Sequence, residues 1–420
     1  MISSVGHPTE LVRVYGRSQC RRAFDIRDFL SRSVVHFTWT AIDNDLDCAR
    51  LTGGPIAEAG LPIVVLPDGT YLHSPSVSDI AKWLGWVKKP KLREYDLSIY
   101  GAGPAGLSAA VYAASEGLSV VVLEREAIGG QAGYSSLIEN YLGFPGGISG
   151  GELAERARQQ SVSFGAELLL MRDGLRARFH DNRIHTTLND GTTLVARANI
   201  CATGVEWRRL GVARENEFMG RGLFYGAGTS EAPNCGDLEV FVVGGGNSAG
   251  QAVMNLSAYA KQVTMLVRGP SLSATLSAYL ERRVSLQPNV TIRTCSRVVG
   301  LEGADGLEAI RIEDSRTGAV ECIDTARLFV CIGGEPDTEW AAETSIVRDH
   351  HGFLVTGPDL EQSLHTWPLD RSPFYLETSV PGSFAAGDVR RNSVKRVASA
   401  VGEGAMAVTF VHHYLSTVRD

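Results

Sequence analysis

The sequence contains no apolar run that approaches the roughly 20 consecutive residues of a membrane-spanning helix. Its first residues, MISSVGHPTELVRVYG, lack the positively charged start and apolar stretch of a secretory signal peptide, so we expect none. The seven cysteines are an odd number scattered along the chain, which does not indicate a disulfide framework. We therefore expect a protein of a reducing compartment, with the cytoplasm as its default location and no membrane partner.

Positive charge is not in excess either. The chain carries 40 lysine and arginine residues against 47 aspartate and glutamate residues, which gives a net charge of -7. Proteins that bind nucleic acid through its phosphates usually carry a basic surface, so nucleic acid is not an expected partner. No spacing of histidines and cysteines indicates a metal site. A length of 420 residues, of which 44% are hydrophobic, instead predicts two or three globular domains.

Residues 1–88 are predicted to form a small α/β unit. Hydrophobic patterns indicate, in chain order, a strand, a helix, a strand, a hairpin with an Asp-Gly turn and a closing helix, over 11–15, 20–32, 34–42, 60–73 and 76–86. This order resembles that of the thioredoxin and glutaredoxin fold. The stretch VKKPKLREY (87–95) is predicted to be a linker.

A glycine-rich turn follows the next predicted strand and opens a helix. Its glycines are Gly101, Gly103 and Gly106, and Glu124 ends the strand after the helix. In a dinucleotide-binding turn the first glycine permits the tight turn, the second admits the pyrophosphate, and the third lets the helix pack on the strand. The helix start binds phosphate, and the acid accepts hydrogen bonds from the ribose. The pattern predicts a dinucleotide site, to which we also assign Pro104, Ala105 and Arg125.

A second unit of the same kind begins near residue 239, and this repetition predicts two dinucleotide-binding domains. Its turn contains Gly244, Gly246 and Ala249, but Arg268 stands where the first unit has an acid. A cation at this position attracts a 2′-phosphate, which favours NADPH over NADH. The alternative for Arg268 is a solvated strand end. We assign to the same site Asn247 and Ser248.

From residue 94 to the C-terminus the chain resembles the low-molecular-weight bacterial thioredoxin reductases. The motifs that carry the resemblance occur in order, namely GAGPAG (101–106), GGQ (129–131), ENYLGFPGGISGGEL (139–153), ATG (202–204), GRG (220–222), GGGNSA (244–249), FVCIGGEPDT (329–338) and SVPGSFAAGDV (379–389). The resemblance implies FAD and NADPH as cofactors and a homodimer paired through the FAD domains.

The resemblance also implies roles for individual residues. Asp388 would contact the ribityl or phosphate part of FAD, and Gln131 and Asn140 would lie near the flavin. A helix N-terminus would meet the pyrimidine edge of the ring and stabilise negative charge there. The residues implied at that terminus are Arg396, Val397 and Ala398, and the motifs add to the FAD site Gly130, Thr203, Gly204 and Gly387.

One feature of the family is missing. In thioredoxin reductases a CxxC dithiol follows the GRG segment, whereas alignment of this chain places Gly226 and Thr229 at the two cysteine positions. Only Cys235 lies in the segment, and a dithiol exchange cannot proceed on one thiol without a second. Ordinary thioredoxin reductase activity is therefore not expected from residues 94–420 alone.

Three routes for the electrons stay open. Cys235 is a candidate single redox thiol, although a small buried residue before a strand is the alternative. Electrons instead leave the flavin directly for a quinone, oxygen, an iron–sulfur protein or an organic substrate. The third route uses a thiol of the N-terminal unit.

Cys20 is the candidate thiol of the N-terminal unit. It falls between the predicted first strand and first helix, where a helix N-terminus would lower the pKa of a thiol, and the two arginines that follow it would further favour the thiolate. The motif Cys-Arg-Arg-Ala resembles a monothiol glutaredoxin site, and Leu61-Pro62 stands where this fold places a cis-proline. The alternative is a unit that serves only for docking or dimerisation.

The sequence as a whole predicts an α/β protein with two Rossmann-like, three-layer ββα domains and an N-terminal thioredoxin-like domain. The predicted boundaries are 1–88 for the thioredoxin-like domain, 94–206 with 331–420 for the FAD domain, and 207–330 for the NAD(P)H domain. The predicted function is an FAD-dependent NADPH oxidoreductase with an unidentified acceptor. The alternatives are a flavoenzyme linked to ferredoxin or thiols without pyridine nucleotide, and a non-catalytic, redox-sensing flavoprotein.

Overall fold

The computed structural model describes residues 11–56, 59–172, 174–360 and 367–418. Contacts divide the chain into two compact units. The first comprises Met1–Ile80 with Arg209–Ile332, and the second comprises Ala81–Arg208 with Gly333–Asp420. The predicted α/β class is confirmed in both units, since each combines helices with sheets that contain parallel strands.

The N-terminal residues form four strands and three helices. The elements are β1 (Val12–Gly16), α1 (Arg21–Arg32), β2 (Phe37–Ala41), α2 (Asp45–Thr52), β3 (Ile63–Val65), β4 (Tyr71–His73) and α3 (Val77–Trp83). The strands form one sheet in the order β2-β1-β3-β4, in which β1 runs parallel to β2 and antiparallel to β3.

These elements follow the predicted order, with two differences. Helix α2 was not predicted; the Asn44 side chain caps it by accepting a hydrogen bond from the Asp47 amide at 2.9 Å. Strand β2 begins at Phe37 instead of residue 34. Val34 has a φ of 55°, whereas strand residues have negative φ angles. The assignment of this unit to the thioredoxin-like folds stays a prediction.

The stretch predicted as a linker is held by hydrogen bonds within the second unit. The Lys91 amide donates to the Glu167 carboxylate at 3.0 Å, and the Arg172 side chain donates to the Lys88 carbonyl at 3.1 Å. Residues from Glu94 onward already belong to the first strand of the next sheet. A lysine- and proline-containing composition does not reveal such bonds, because their acceptor and donor lie far along the chain.

The second unit begins with the elements of the first glycine turn. They are β5 (Glu94–Tyr100), α4 (Pro104–Ser115), β6 (Val120–Glu124), a 3-10 helix (Gly130–Tyr134), α5 (Gly150–Ser163), β7 (Glu167–Leu170), β8 (Gly174–His180), β9 (Arg183–Leu188), β10 (Thr193–Cys201) and β11 (Glu206–Trp207).

The chain then contributes the larger part of the first unit. Its elements are α6 (Glu215–Phe218), β12 (Leu223–Tyr225), a 3-10 helix (Ala232–Cys235), β13 (Glu239–Val243), α7 (Asn247–Ser257), β14 (Gln262–Leu266), α8 (Ala278–Ser285), β15 (Val290–Arg293), β16 (Ser296–Glu302), β17 (Ala309–Asp314), β18 (Val320–Asp324) and β19 (Leu328–Val330). The remaining elements complete the second unit and are β20 (Gly334–Glu335), a 3-10 helix (Glu339–Ala341), β21 (Ser383–Ala385) and α9 (Val397–Thr417).

The two units repeat one sheet plan. In the second unit β7, β6, β5 and β10 are parallel neighbours, β21 pairs in parallel with the end of β10, and the β8–β9 hairpin extends from the start of β10. In the first unit β12, β19, β13, β14 and β15 form a parallel sheet, and β16, β17 and β18 form a separate antiparallel one. This is the predicted duplication of a Rossmann-like domain.

Small residues bring helices α4 and α9 together in the second unit. A Cβ atom at Gly404 of α9 would lie 2.1 Å from the Ala105 carbonyl oxygen of α4, so only glycine fits there. Helix α4 buries Ala105, Ala109 and Ala113 in the same core. The start of α4, which carries the first glycine turn, is thereby fixed against α9.

The described part of the chain lacks two features of other protein classes. No helix there is both long and apolar enough to span a membrane. No group of three or more histidine, cysteine, aspartate or glutamate side chains is placed there to hold a metal ion.

Candidate functional site

The first glycine turn connects β5 to α4 with the geometry that a bound pyrophosphate requires. Gly101 has a φ of 100°, and a Cβ atom there would lie 2.4 Å from the Ala202 carbonyl oxygen. A Cβ atom at Gly106 would lie 1.9 Å from the Gly101 carbonyl oxygen. At Gly103, the residue that precedes Pro104 of α4, the nearest atom to an added Cβ is 4.0 Å away. The turn is therefore closed on its protein side and open beside Gly103.

Glu124 ends β6 and supports this turn. Its Oε2 atom accepts a hydrogen bond from the Ala102 amide at 2.8 Å, and its Oε1 atom accepts one from the Glu126 amide at 2.8 Å. The side chain is buried, with 8% of its residue surface exposed. Each carboxylate oxygen can accept a further bond, so the predicted contact with ribose hydroxyls stays compatible with these two.

A pocket in the second unit extends from the turn, and it is lined by residues that include Gly101, Glu124, Arg125, Cys201 and Thr203. Thr203 Oγ1 is buried and has no hydrogen-bond partner among the described residues. A buried hydroxyl of this kind needs a partner, which the ADP part of FAD can provide. The open glycine, the acid and the unpaired hydroxyl together fit the predicted FAD site.

Arg125 lies at the edge of this pocket between two acids of the second unit. Its guanidinium donates to Asp337 at 2.6 Å and pairs with Glu206. Asp337 also lines the pocket. The sequence assigned Arg125 to the cofactor but did not identify its two partners, which follow β10 and β20 and lie far from it in the chain.

Two further predicted FAD residues lie near the turn, and a third lies in a loop. Gly130 faces Gly103, since a Cβ atom at Gly130 would lie 3.3 Å from the Gly103 Cα. The Gln131 side chain donates to the Val205 carbonyl at 2.7 Å, so its amide nitrogen has a protein partner. Asn140 is exposed, in a loop closed by pairing of residues 138 and 148. Its proximity to the flavin stays a prediction.

The segment between β21 and α9 brings the predicted C-terminal residues to the same turn. A Cβ atom at Gly387 would lie 3.0 Å from the Ala105 Cβ. Burial raises the pKa of the next residue, Asp388, above its ordinary value, and Lys395 opposes this only in part. Arg396 precedes α9 as its N-cap, and the helix begins at Val397 and Ala398.

A buried ion pair fixes this segment, and the sequence analysis did not identify it. Glu403 of α9 accepts a hydrogen bond from the Gly387 amide at 2.8 Å and one from Arg390 at 2.7 Å. Both side chains are largely buried. Their positions within RRNSVKRVASAVGEG give no periodic signal, so only the folded chain reveals that they hold Asp388 in place.

The second glycine turn, in the first unit, repeats this geometry. Gly244 has a φ of 142°, and a Cβ atom there would lie 2.3 Å from the Cys331 carbonyl oxygen. Gly246 precedes α7 and has no atom within 4 Å of an added Cβ, so its backbone is open. Asn247 accepts a hydrogen bond from the Ser277 amide at 2.8 Å, Ala249 is buried and Ser248 is exposed.

Arg268 is exposed just beyond β14, near this turn. Among the described residues it has no ion-pair partner, so its charge is available to a ligand. A Cβ atom at Gly245 would lie 3.1 Å from the Cγ1 atom of Val267, which places the residue before Arg268 against the turn. Of the neighbouring hydroxyls, that of Thr275 donates to the Gly245 carbonyl at 2.6 Å. The turn and Arg268 fit the predicted NADPH site.

The segment that should carry the dithiol is tightly packed within the first unit. Gly226 has a φ of 89°, and its amide donates to the Val330 carbonyl at 3.0 Å. A Cβ atom at Gly228 would lie 2.2 Å from the Phe329 ring. All seven cysteines are free thiols, and no two of them are separated by two residues.

Cys235 ends the 3-10 helix of this segment and is fully buried. Its Sγ atom donates to the Glu231 carbonyl at 3.3 Å. Burial raises the pKa of Cys235 to about 12. The thiol is therefore protonated near neutral pH, which favours the alternative of a small buried residue over a redox thiol.

Cys20 stands at the N-cap of α1, as predicted, and is partly exposed. The peptide bond between Leu61 and Pro62 is cis. The two arginines after Cys20 have other partners, because Arg21 pairs with Asp25 at 4.0 Å and Arg22 donates to the Ser74 carbonyl at 3.0 Å. The expectation that both arginines act on the Cys20 thiol is therefore not supported by their contacts.

Residues 95–404 match the family model described as pyridine nucleotide-disulphide oxidoreductase. The chain is 33% identical to a thioredoxin reductase of Treponema pallidum, over 78% of this chain and 99% of that protein. It is 31% identical to that of Ureaplasma parvum, over 77% and 97%.

Solved structures give the same result. The crystal structure of Lactococcus lactis thioredoxin reductase matches with a TM-score of 0.70 and 26% identity, over 77% of this chain and 100% of that one. Thioredoxin reductase of T. acidophilum matches with a TM-score of 0.69 and 29% identity, over 78% and 100%.

Proposed function

Because the chain belongs to the thioredoxin reductase family of pyridine nucleotide-disulphide oxidoreductases and is an FAD-dependent NAD(P)H oxidoreductase, we propose that it passes electrons from NADPH through FAD to an acceptor without a CxxC dithiol. The observation that carries this proposal is the pair of open glycine turns in a chain whose aligned dithiol positions are Gly226 and Thr229. When bound, FAD supplies the two-electron chemistry that links a pyridine nucleotide to an acceptor.

The residues of the second unit bind and orient the flavin cofactor in this proposal. The backbone beside Gly103 receives the pyrophosphate at the positive end of α4, and Thr203 donates its unpaired hydroxyl. Glu124 accepts from the ribose while it holds the turn through Ala102. Arg390 and Glu403 hold the loop that contains Asp388, whose neighbour Gly387 packs against Ala105 of α4.

The residues of the first unit bind the reductant. Gly246 leaves the start of α7 open to the pyrophosphate of the nucleotide. The exposed guanidinium of Arg268 binds the 2′-phosphate that distinguishes NADPH from NADH.

Neither candidate cysteine is required in this proposal. The buried, protonated thiol of Cys235 is a packing residue of its segment. Cys20 has no second cysteine at the spacing of a dithiol, so it cannot accept two electrons as an intramolecular disulfide there. An acceptor would therefore take electrons from bound FAD without a CxxC dithiol between them. From the family resemblance we also infer a homodimer that acts in the cytoplasm; analytical ultracentrifugation tests the first of these.

Stopped-flow reduction of the purified holoprotein tests the function. Anaerobic NADPH is expected to bleach the flavin absorbance within seconds, and NADH to do so more slowly. Bleaching by reduced ferredoxin or a thiol, but not by NADPH, would contradict this function. It would instead support a flavoenzyme that takes electrons from ferredoxin or thiols without a pyridine nucleotide. No reduction by any donor would favour a redox sensor. The variants Cys20→Ser and Cys235→Ser are expected to have the same turnover number as the wild type.

A further inference from the structure

Within the first unit, helix α1 of the N-terminal residues packs on the segment that aligns with the dithiol of the family. Arg21, Phe24 and Arg27 are spaced three residues apart and lie on one face of α1. All three are in contact with, or bonded to, residues between Gly220 and Glu231. The helix and the segment therefore share an interface inside one chain.

The apolar part of this interface depends on a glycine, Gly220, at which no side chain separates the two elements. A Cβ atom at Gly220 would lie 3.0 Å from the Phe24 ring and 3.1 Å from the Arg21 Cα, so glycine lets α1 approach closely. The Phe24 and Phe224 rings lie 5.0 Å apart, and Phe224 stacks on Phe329 at 5.3 Å. Aromatic contacts at these distances are favourable beyond the area that they bury.

The polar part is an ion pair buried from solvent. Arg27 and Glu231 approach within 2.7 Å, with side chains that are 2% and 1% exposed. The Arg27 guanidinium also lies 4.2 Å from the centre of the Trp39 ring. Two buried charges are tolerated as partners, so removing either side chain while the interface stays closed would leave the other buried without its ion-pair partner.

The segment beneath α1 offers little backbone to another protein. Gly226, Ala227 and Gly228 are buried, as are Glu231 and Ala232. An incoming protein would first have to displace α1 and break the Arg27–Glu231 pair.

Building on the proposed function, we propose that the N-terminal unit is a permanent intramolecular occupant of the face of residues 220–231, and that it excludes protein disulfides from this face. The Arg27–Glu231 pair fixes the unit there. The acceptor of the electrons is accordingly a small molecule and not a protein disulfide. The N-terminal unit determines specificity by exclusion and takes no electrons itself.

Hydrogen exchange of the full-length holoprotein tests the interface. Arg27→Met is expected to accelerate amide exchange in both 21–32 and 226–235 by on the order of 100-fold. The double variant Arg27→Met/Glu231→Leu removes both charges and is expected to restore most of the protection. The matched control is Arg22→Met, which changes the same helix outside the interface. Equal exchange in all three variants and the wild type would overturn the interface, whatever the state of the flavin.

Acceptor assays test the exclusion. With NADPH as donor, the wild type is expected to reduce 1,4-benzoquinone and to leave oxidised thioredoxin unreduced. Reduction of thioredoxin at a rate within tenfold of the quinone would overturn the exclusion. Failure of NADPH to reduce the flavin would instead contradict the proposed function, and the exchange experiment would still decide the interface.

Discussion

The Oε2 atom of Glu124 lies 2.8 Å from the amide nitrogen of Ala102, the residue between the first two glycines of the first glycine turn. The acid that is expected to bind the ribose therefore also holds the turn that is expected to bind the pyrophosphate. One side chain at the end of β6 thus couples two parts of the proposed cofactor site.

Replacement of Glu124 by glutamine is expected to weaken FAD binding by about 10- to 100-fold. Glutamine offers one acceptor oxygen where the carboxylate offers two, so either the Ala102 or the Glu126 amide loses its bond. Titration of apoprotein with FAD, followed by flavin fluorescence, measures the effect. The control is Glu126→Gln, whose exposed side chain is outside the turn. Equal FAD affinity in both variants would contradict the role of Glu124.

Two glycines of α9 provide a matched pair. Gly404→Ala is expected to lower the free energy of unfolding by about 1–3 kcal/mol and to reduce FAD retention, because its Cβ would lie 2.1 Å from the Ala105 carbonyl oxygen. Gly402→Ala meets no atom within 4 Å and is expected to add about 1 kcal/mol through helix propensity. Urea unfolding distinguishes them. Similar stability in the two variants would show that α4 and α9 do not require the close contact.

Replacement of Arg268 by glutamine is expected to raise the KM for NADPH by roughly 10- to 100-fold and to leave the KM for NADH nearly unchanged. A charge-assisted bond to the 2′-phosphate contributes about 1.5–3 kcal/mol, and NADH lacks this phosphate. Initial rates with a quinone acceptor give both constants. Arg282→Gln, on the exposed side of α8, is the control. A parallel rise in the KM for NADPH and the KM for NADH would mean that Arg268 does not bind the 2′-phosphate.

Cys235 is expected to be inert toward Ellman's reagent in the native protein at pH 8. With a pKa of about 12, only about one thiol in ten thousand is ionised at that pH, and the sulfur is buried. Cys235→Ala should therefore leave the number of thiols titrated in the native state unchanged and lower the number titrated in guanidinium by one. A native-state thiol count that falls by one in this variant would identify Cys235 as a reactive thiol.

The stability of the first unit is expected to depend on pH through Glu215. Burial acts to raise the pKa of Glu215, but bonds from Tyr225 and Gly211 and the charge of Arg209 outweigh it, so the pKa lies below its ordinary value. A carboxyl group with a lowered folded-state pKa stabilises the fold above its unfolded pKa of about 4.3 and loses this contribution as the pH falls through the folded value.

Glu215→Gln is accordingly expected to cost about 1–3 kcal/mol at pH 7, and the cost should shrink below about pH 4. Urea unfolding at several pH values measures this. Glu217→Gln, which removes a solvent-exposed partner of Arg214, should cost less than about 0.5 kcal/mol at every pH. A cost for Glu215→Gln that does not change with pH would show that its ionised form does not stabilise the fold.

Local patterns in the sequence were enough to predict the two glycine turns and the strands and helices beside them. Gly101, Gly106 and Gly244 fill positions where an added Cβ would overlap a carbonyl oxygen, and such local constraints leave a fixed spacing in the chain. Hydrophobic periodicity likewise predicted the strands and helices of residues 1–88 except α2, and the order of elements placed Cys20 at the start of α1.

The contacts that fix these elements to one another are visible only in the folded chain. The pairs Arg27–Glu231 and Arg390–Glu403, and the position of Arg125 between Glu206 and Asp337, join charges from separate segments. A charged residue that is buried with a partner looks in the sequence like one on a solvated surface, because its partner lies at no regular spacing. The two charges become buried partners only when the chain folds, because folding brings the two segments that carry them together.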